Sequence, residues 1–168
     1  MQSFKLSQTE LTAIVAFIRA GFDVNARAVK VGDIVRGRTL FEGKGACLSC
    51  HRVNGKGPRS APDLSDVGSS RLASSIQGSI VDPTVYMMPI NRPVRIVMKD
   101  GRVVTGRRLN EDTFSVQLID EKERLVSIQK SDLRQYEILK TSPMPSFRDK
   151  LSVDEVADVV AYLLSLKG

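Results

Sequence analysis

The distribution of cysteine and histidine is the feature that most constrains this chain. Its 168 residues include two cysteines and one histidine, and all three lie in the string from Cys47 to His51. A single histidine excludes sites that need a histidine pair, such as the usual Cys/His zinc fingers. Two cysteines exclude a four-thiolate metal or iron–sulfur site and a scaffold held by several disulfides. Any chemistry of these residues must therefore be built from one short string.

Three kinds of site use two cysteines separated by two residues. A dithiol redox site normally follows a strand of a βαβ unit, whereas residues 33–42 have the pattern of an N-capped helix. A zinc site would need a carboxylate as fourth ligand, which is uncommon in structural sites. Covalent attachment of a c-type haem uses all three residues, with Cys47 and Cys50 forming thioethers and His51 ligating iron. The string therefore favours haem attachment.

A methionine thioether is the natural second axial ligand, because the chain has no second histidine. Met98 lies in an alternating segment typical of a strand, where packing in the core is the ordinary role. Met144 lies between two prolines in a loop directly before a helix, which favours a fixed sulfur. Met87 and Met88 are the alternatives, and an open or water-ligated iron is the remaining one.

Several pieces of the sequence together resemble the class I c-type cytochromes. They are Gly37, Phe41 and residues 47–51, 61–64, 144–147 and 159–163. In that family the first and last helices cross where a glycine allows close approach to an aromatic residue, a role that Gly37, Phe41 and Tyr162 fit. The resemblance also implies that the Pro62 carbonyl accepts a hydrogen bond from the His51 imidazole, and it favours Met144 as the second ligand.

This resemblance implies one covalently bound haem c, with iron held by His51 and Met144. Both axial positions would then be filled, so we expect an electron carrier and not an enzyme; a haem sensor or small-ligand binder with an open or labile sixth position is the alternative. The spacing of four residues suits an apolar pocket or plain core packing, namely Leu64, Leu72, Ile76 and Ile80. Arg71 would pair with a propionate or face solvent. The candidate cofactor-binding residues are Cys47, Cys50, His51, Pro62, Leu64, Arg71, Met144 and Phe147.

A segment of alternating polarity separates the haem string from Met144. Short strands are predicted at residues 94–98, 102–106, 113–119, 125–128 and 136–139, with turns at 100–101, 110–112 and 120–123. Five closely spaced strands predict a small antiparallel barrel over residues 86–140. Residues 99–102, Gly106 and residues 112–114 resemble Sm-like barrels. Val116 stands where that family has its base-contacting Asn, so no nucleic-acid partner is expected.

The expected architecture is a mainly α cytochrome c fold with an inserted five-stranded β barrel, α+β overall. The haem domain would comprise residues 29–85 and 141–168, split by the barrel. This combination resembles the haem-binding domains at the C-termini of large periplasmic bacterial dehydrogenase-type proteins, which implies passage of single electrons between a dehydrogenase and a redox partner. Haem is attached outside the bacterial cytoplasm and residues 1–5 lack a secretory pattern. We therefore expect a mature fragment or domain of a longer secreted protein, located in the periplasm or otherwise outside the cytoplasm.

Residues 6–18 repeat the pattern of residues 151–163, including a capping box and a Val-Ala-aromatic step. Two amphipathic helices that converged on one pattern would explain this. We favour the interpretation that residues 1–28 are a leading helix and linker, with the helix belonging to a preceding cytochrome-type domain. Its apolar face would dock on this domain or exchange between two copies in a dimer.

The charge of the chain is basic, with a formal net charge of +6. Residues 25–72 contain nine Lys and Arg against four acidic residues, so most of the excess surrounds the cysteines. A basic rim would suit an acidic redox partner, and a solvated basic face is the plain alternative. No stretch approaches the length of a membrane-spanning helix.

Overall fold

The computed structural model describes residues 5–19 and 29–168, and in these ranges it contains five α-helices and one five-stranded antiparallel sheet. The helices are α1 (Gln8–Arg19), α2 (Ile34–Glu42), α3 (Val67–Ser70), α4 (Ala73–Val81) and α5 (Val153–Ser165). The strands are β1 (Pro93–Met98), β2 (Val103–Glu111), β3 (Ser115–Asp120), β4 (Leu125–Gln129) and β5 (Leu133–Ile138). The predicted α+β composition is confirmed, and the sheet lies between α4 and α5 in the chain. No helix within the described ranges combines the length and apolarity that crossing a membrane requires.

Helices α2 and α5 begin where the sequence predicts. The Asp33 carboxylate accepts a hydrogen bond from the backbone N–H of Arg36 at 2.8 Å, which caps α2. Ser152 and Glu155 form a reciprocal capping box at the start of α5. These local caps fix where α2 and α5 begin, and these are the two helices that pack most extensively against each other.

The crossing of α2 and α5 depends on a glycine. A Cβ added to Gly37 would overlap the backbone carbonyl of Asp158. A larger residue at this position would therefore force α2 and α5 further apart. One turn later, the rings of Phe41 and Tyr162 pack at a centroid distance of 5.3 Å and a tilt of 59°. The close approach predicted for the two helices is confirmed. The core around this crossing also contains Val53, Val67, Ile76, Ile80, Phe147, Leu151, Val156, Val159, Val160, Leu163 and Leu166.

The sheet is open, so the prediction of a closed barrel was wrong. Its strand order is β4-β3-β2-β1-β5, which leaves β4 and β5 as unpaired edges. Only Lys130–Asp132 separates these edge strands in sequence, although four strand spacings of a flat sheet would measure about 19 Å. The sheet must therefore be strongly curled without its edges joining. Strand number and spacing do not fix the tilt and stagger on which closure depends.

The sheet has its own apolar core, formed by the buried side chains of one of its faces. Val116 is fully buried in it, together with Val94, Ile96, Met98, Leu118 and Ile128. The side chain at the position that the Sm-like family uses for base contact is thus a packing residue. Met98 also belongs to this core, as its place in an alternating segment predicts.

Strand β2 runs past the turn predicted at residues 110–112. The pairing register with β3 shifts between Arg108 and Asn110, and the strand continues to Glu111. The turn itself is formed two residues later than predicted, at residues 112–114, where the Asp112 carboxylate accepts the backbone N–H of Phe114 at 2.7 Å. Strand β5 likewise begins at Leu133, earlier than predicted.

Glu111 explains the extension of β2, because its carboxylate joins three elements of the sheet region. One oxygen lies 2.8 Å from the Lys130 ammonium, and the other accepts hydrogen bonds from the Arg108 guanidinium at 2.6 Å and the Tyr136 hydroxyl at 2.8 Å. Lys130 foremost, with Tyr136 and Arg108, lowers the pKa of Glu111 to about 2 from an ordinary value of 4.5. The ionised carboxylate therefore stabilises the folded sheet.

The Glu111→Gln variant is expected to lose part of the acid sensitivity of the protein. A depressed folded-state pKa contributes stability that is complete above the unfolded value of 4.5 and disappears as the pH falls towards about 2. The slope of the unfolding free energy against pH should therefore be smaller in the variant within that window, as measured by urea denaturation. Glu137→Gln, which removes an exposed carboxylate from β5, is the matched control. An equal change in both variants would contradict the prediction.

Helix α1 begins with the same capping pattern as α5, but its apolar side chains differ from those of α5 in their exposure to solvent. The Ser7 N–H binds the Glu10 carboxylate at 2.8 Å, so the predicted helix and its capping box are confirmed. The apolar side chains of α1, among them Ile14 and Ile18, are exposed, whereas most of those of α5 are buried. A preceding domain and a dimer stay predictions, and residues 1–4 and 20–28 of the proposed leading segment lie outside the described residues.

Candidate haem site

An apolar cavity lies between α2, α4, α5 and the loop that carries Met144. Its lining consists of Phe41, Cys47, His51, Leu64, Ile80, Met144, Phe147, Leu151, Val159 and Leu163. Five of the eight candidate cofactor-binding residues, namely Cys47, His51, Leu64, Met144 and Phe147, thus meet in one place. The cavity wall thus combines residues that precede the sheet in the chain with residues that follow it.

His51 is held in one tautomer. Its Nδ1 lies 2.8 Å from the Pro62 carbonyl oxygen, and since a carbonyl can only accept, Nδ1 carries the proton and Nε2 keeps its lone pair. Burial lowers the pKa of His51; the bond to Pro62 opposes this, and the positive charge of Arg107 adds to it. A neutral imidazole with free Nε2 is the form that ligates a metal.

The loop after His51 folds back so that Pro62 can reach the imidazole. Gly57 has a φ of +92°, and a Cβ there would overlap the His51 carbonyl, so the tight return needs glycine. The Ala61 N–H then donates to the Cys50 carbonyl at 3.1 Å. The residues on both sides of this return therefore stay close to the haem string.

The two cysteines lie at the ends of one tight turn, in which the His51 N–H donates to the Cys47 carbonyl at 2.9 Å. Cys47 is part of the cavity wall, whereas Cys50 is exposed and outside it. Burial raises the pKa of the Cys47 thiol to about 11. Reactive dithiols need a lowered pKa, so this environment disfavours the dithiol redox alternative.

The Met144 loop is fixed to the C-terminal end of α4. The Met144 N–H donates to the Ser142 hydroxyl at 3.1 Å, and the Ser142 N–H donates to the Thr84 hydroxyl at 3.2 Å. The Ser146 hydroxyl donates to the Val81 carbonyl at 2.7 Å. These bonds hold the loop on both sides of the methionine. Sequence reasoning missed the two bonds to Thr84 and Val81, because each joins residues about sixty positions apart in the chain.

The other described methionines lie elsewhere. Met87 is half-buried and Met88 is 46% exposed, and neither lines the cavity. Met98 belongs to the core of the sheet. Among the methionines that the structure describes, only Met144 shares the cavity with His51.

Arg71 is the candidate residue that the structure places least clearly at the cavity. Its side chain is half-buried outside the lining, 3.4 Å from the Ser75 carbonyl, and burial lowers its pKa. The lining residues that the sequence analysis did not assign to the site are Phe41, Leu151, Val159 and Leu163. Their apolar periodicity indicates burial, but periodicity cannot distinguish a core face from a cavity face.

The residues present fit a haem. Within the described chain, the cavity lining contains apolar side chains, two sulfur atoms and an imidazole, with no carboxylate, lysine or arginine. The chemistry of this lining suits an apolar ring system with nitrogen and sulfur donors to iron. Cys47 and Cys50 would attach it, and His51 and Met144 would be its ligands.

A comparison with protein families agrees with this chemistry. Residues 34–115 match the family model for cytochrome c. The match begins at α2 and includes the haem string and Pro62, and it ends before the Met144 loop and α5. It supports a c-type cytochrome, and the family implies a covalently bound haem c. Domains of this family are typically electron carriers, not catalysts, and are generally extracytoplasmic. No curated protein matches the chain.

Proposed function

We propose that the chain carries single electrons, with haem c attached to Cys47 and Cys50 and ligated by His51 and Met144. The observation that carries this proposal is that His51 and Met144 lie in the wall of one apolar cavity. When bound, the haem supplies an iron that alternates between the ferrous and ferric states.

The protein residues would keep this centre rigid and dry. The Pro62 carbonyl fixes the His51 ring, and the Ser142 and Ser146 bonds fix the Met144 loop. Fixed ligands need little rearrangement when the charge on iron changes, which favours fast electron transfer. Apolar walls exclude water and disfavour the ferric charge, which together with a thioether ligand raises the reduction potential.

The surface near Cys50 supports a proposed acidic redox partner. Lys56 and Arg59 are exposed in the loop that returns to Cys50. A basic patch beside an exposed attachment cysteine would steer an acidic protein towards the haem edge. We place this exchange in the periplasm, between a dehydrogenase and its redox partner, because the domain combination resembles haem domains of such proteins.

The variant Met144→Ala tests the proposed ligand. The ferric protein should lose the weak far-red absorption band that sulfur ligation gives, and the ferrous protein should gain rapid binding of carbon monoxide, because one axial position opens. Met88→Ala, which removes an exposed methionine outside the cavity, should leave both properties unchanged.

Two results would contradict the proposal. If the far-red band survives in Met144→Ala and disappears in a Met87 or Met88 variant, the ligand assignment is wrong. If the unmodified ferrous protein binds carbon monoxide rapidly, the sixth position is open or labile, and the chain is a haem sensor or small-ligand binder.

A further inference from the structure

Two side chains of the sheet region form hydrogen bonds with the backbone of Arg59, in the loop after His51. The Arg59 N–H donates to the Glu123 carboxylate at 2.9 Å, and the Arg59 carbonyl accepts from the Arg107 guanidinium at 3.0 Å. Arg107 lies on β2, and Glu123 lies in the turn between β3 and β4. Both backbone polar groups of a loop residue are thus held by side chains of the sheet.

From Arg59 the loop leads directly to the haem ligand. The Ala61 N–H is bonded to the Cys50 carbonyl, and the Pro62 carbonyl accepts the His51 Nδ1–H at 2.8 Å. This short segment is therefore fixed to the sheet at one end and to the imidazole at the other. A displacement of Arg59 would be transmitted to the Pro62 carbonyl, because few rotatable bonds separate them.

Each of the two sheet residues has a conformation or an environment that is costly in itself. Glu123 has a φ of +60°, a left-handed conformation that glycine or asparagine adopts more readily than glutamate. Arg107 is half-buried, and its Nε has no hydrogen-bond partner in the described part of the protein. The backbone conformation of Glu123 belongs to the β3–β4 hairpin turn, in which its N–H donates to the Asp120 carbonyl at 2.9 Å. The direction of its side chain, and that of Arg107, is accounted for by the bond of each to Arg59.

We propose that Arg107 and Glu123 are positioning residues that hold the loop carrying the Pro62 carbonyl against His51, and that the sheet thereby sets the reduction potential of the haem. This inference rests on the proposed function and extends it, because it assigns a task to the sheet. The hydrogen bond from Nδ1 makes the imidazole a stronger donor and so stabilises the ferric state. Releasing Arg59 should weaken that bond and raise the potential.

The signs of the charges make this effect distinguishable from simple electrostatics. Loss of the positive charge of Arg107 would by itself lower the potential, and loss of the negative charge of Glu123 would by itself raise it. Loosening of the loop raises the potential in both cases. The double variant Arg107→Gln/Glu123→Gln leaves the net charge unchanged. Arg107 acts on His51 more strongly than Glu123 does, so any residual charge effect lowers the potential and a rise reports the position of the loop.

The experiment measures reduction potentials by spectroelectrochemical titration of the haem-loaded protein. We expect the double variant to have a higher potential than the unmodified protein, and Arg107→Gln to have a higher potential than Arg102→Gln, the same charge change at an exposed turn. NMR should show about fivefold faster exchange of the His51 Nδ1 proton in the double variant, because the free energy of one hydrogen bond, about 1 kcal/mol, no longer protects it. Glu123→Asp keeps the charge but shortens the reach, and it should also raise the potential.

An unchanged potential in the double variant, or unchanged proton exchange, would overturn the proposal. If the double variant does not fold, Glu123→Asp decides by the same two measurements. A failure of the proposed function would be recognised separately, because the unmodified protein would then lack the far-red band. Potentials are compared only between proteins that retain this band, so the two failures cannot be confused.

Discussion

Replacement of both Cys47 and Cys50 by serine is expected to abolish covalent haem attachment completely. Serine keeps the size and polarity of the side chain but cannot form the thioether bonds, and the chain has no other cysteine. The protein would be produced with a haem maturation system, denatured, and assayed for haem that migrates with the polypeptide. All covalent haem should be lost from the double variant, whereas each single variant retains one attachment site.

The control for this experiment lies between the two cysteines. Ser49→Ala changes an exposed residue of the same turn and removes its hydroxyl bond to the Ala46 carbonyl, but it leaves both thiols in place. It should retain covalent haem. Covalent haem in the double serine variant would show that attachment occurs elsewhere, and its absence from the unmodified protein would restore the dithiol alternative.

The variant Phe41→Ala is expected to lower the free energy of unfolding by about 3–5 kcal/mol, the usual cost of removing a buried phenylalanine ring. Phe41 is 1% exposed, packs on Tyr162 and also lines the cavity. The loss therefore affects both the α2–α5 crossing and the proposed haem site. Urea denaturation followed by circular dichroism would measure it.

Phe114→Ala makes the same chemical change at a side chain that is 75% exposed. Its effect should be below about 0.5 kcal/mol, because little buried surface is lost. Similar losses in the two variants would show that the helix crossing is not the principal core. A loss confined to Phe41→Ala, accompanied by weaker retention of the haem absorption, would link packing at the crossing to the cavity.

Features governed by neighbours in the chain could be predicted from the sequence. Asp33 and Ser152 cap their helices through contacts three residues away, and the haem string depends on the spacing of its own residues. Gly37 was placed at a helix crossing by its resemblance to a family, and the close approach is present. In each case the decisive interactions are local, or a known pattern identifies the partner.

The features that could not be predicted depend on distant partners. Glu111 extends β2 through a predicted turn because it binds Lys130 and Tyr136, which approach only once the sheet is formed. Closure of the barrel failed for a similar reason, since tilt and stagger are properties of the whole sheet. Sequence spacing likewise gave no sign that Arg107 would reach Arg59, 48 residues earlier in the chain.

The two ends of the sheet segment meet, and this affects how the Met144 loop can find its place during folding. The Leu139 N–H donates to the Pro93 carbonyl at 2.8 Å, and β1 pairs with β5. Once the sheet has formed, the chain therefore leaves it beside the point where it entered, and the effective loop between His51 and Met144 becomes shorter. Each halving of a loop reduces the entropy cost of closing it by about 0.6 kcal/mol. An early sheet would thus speed the arrival of Met144 in the cavity wall that contains His51, although the sheet contributes no residue to that wall.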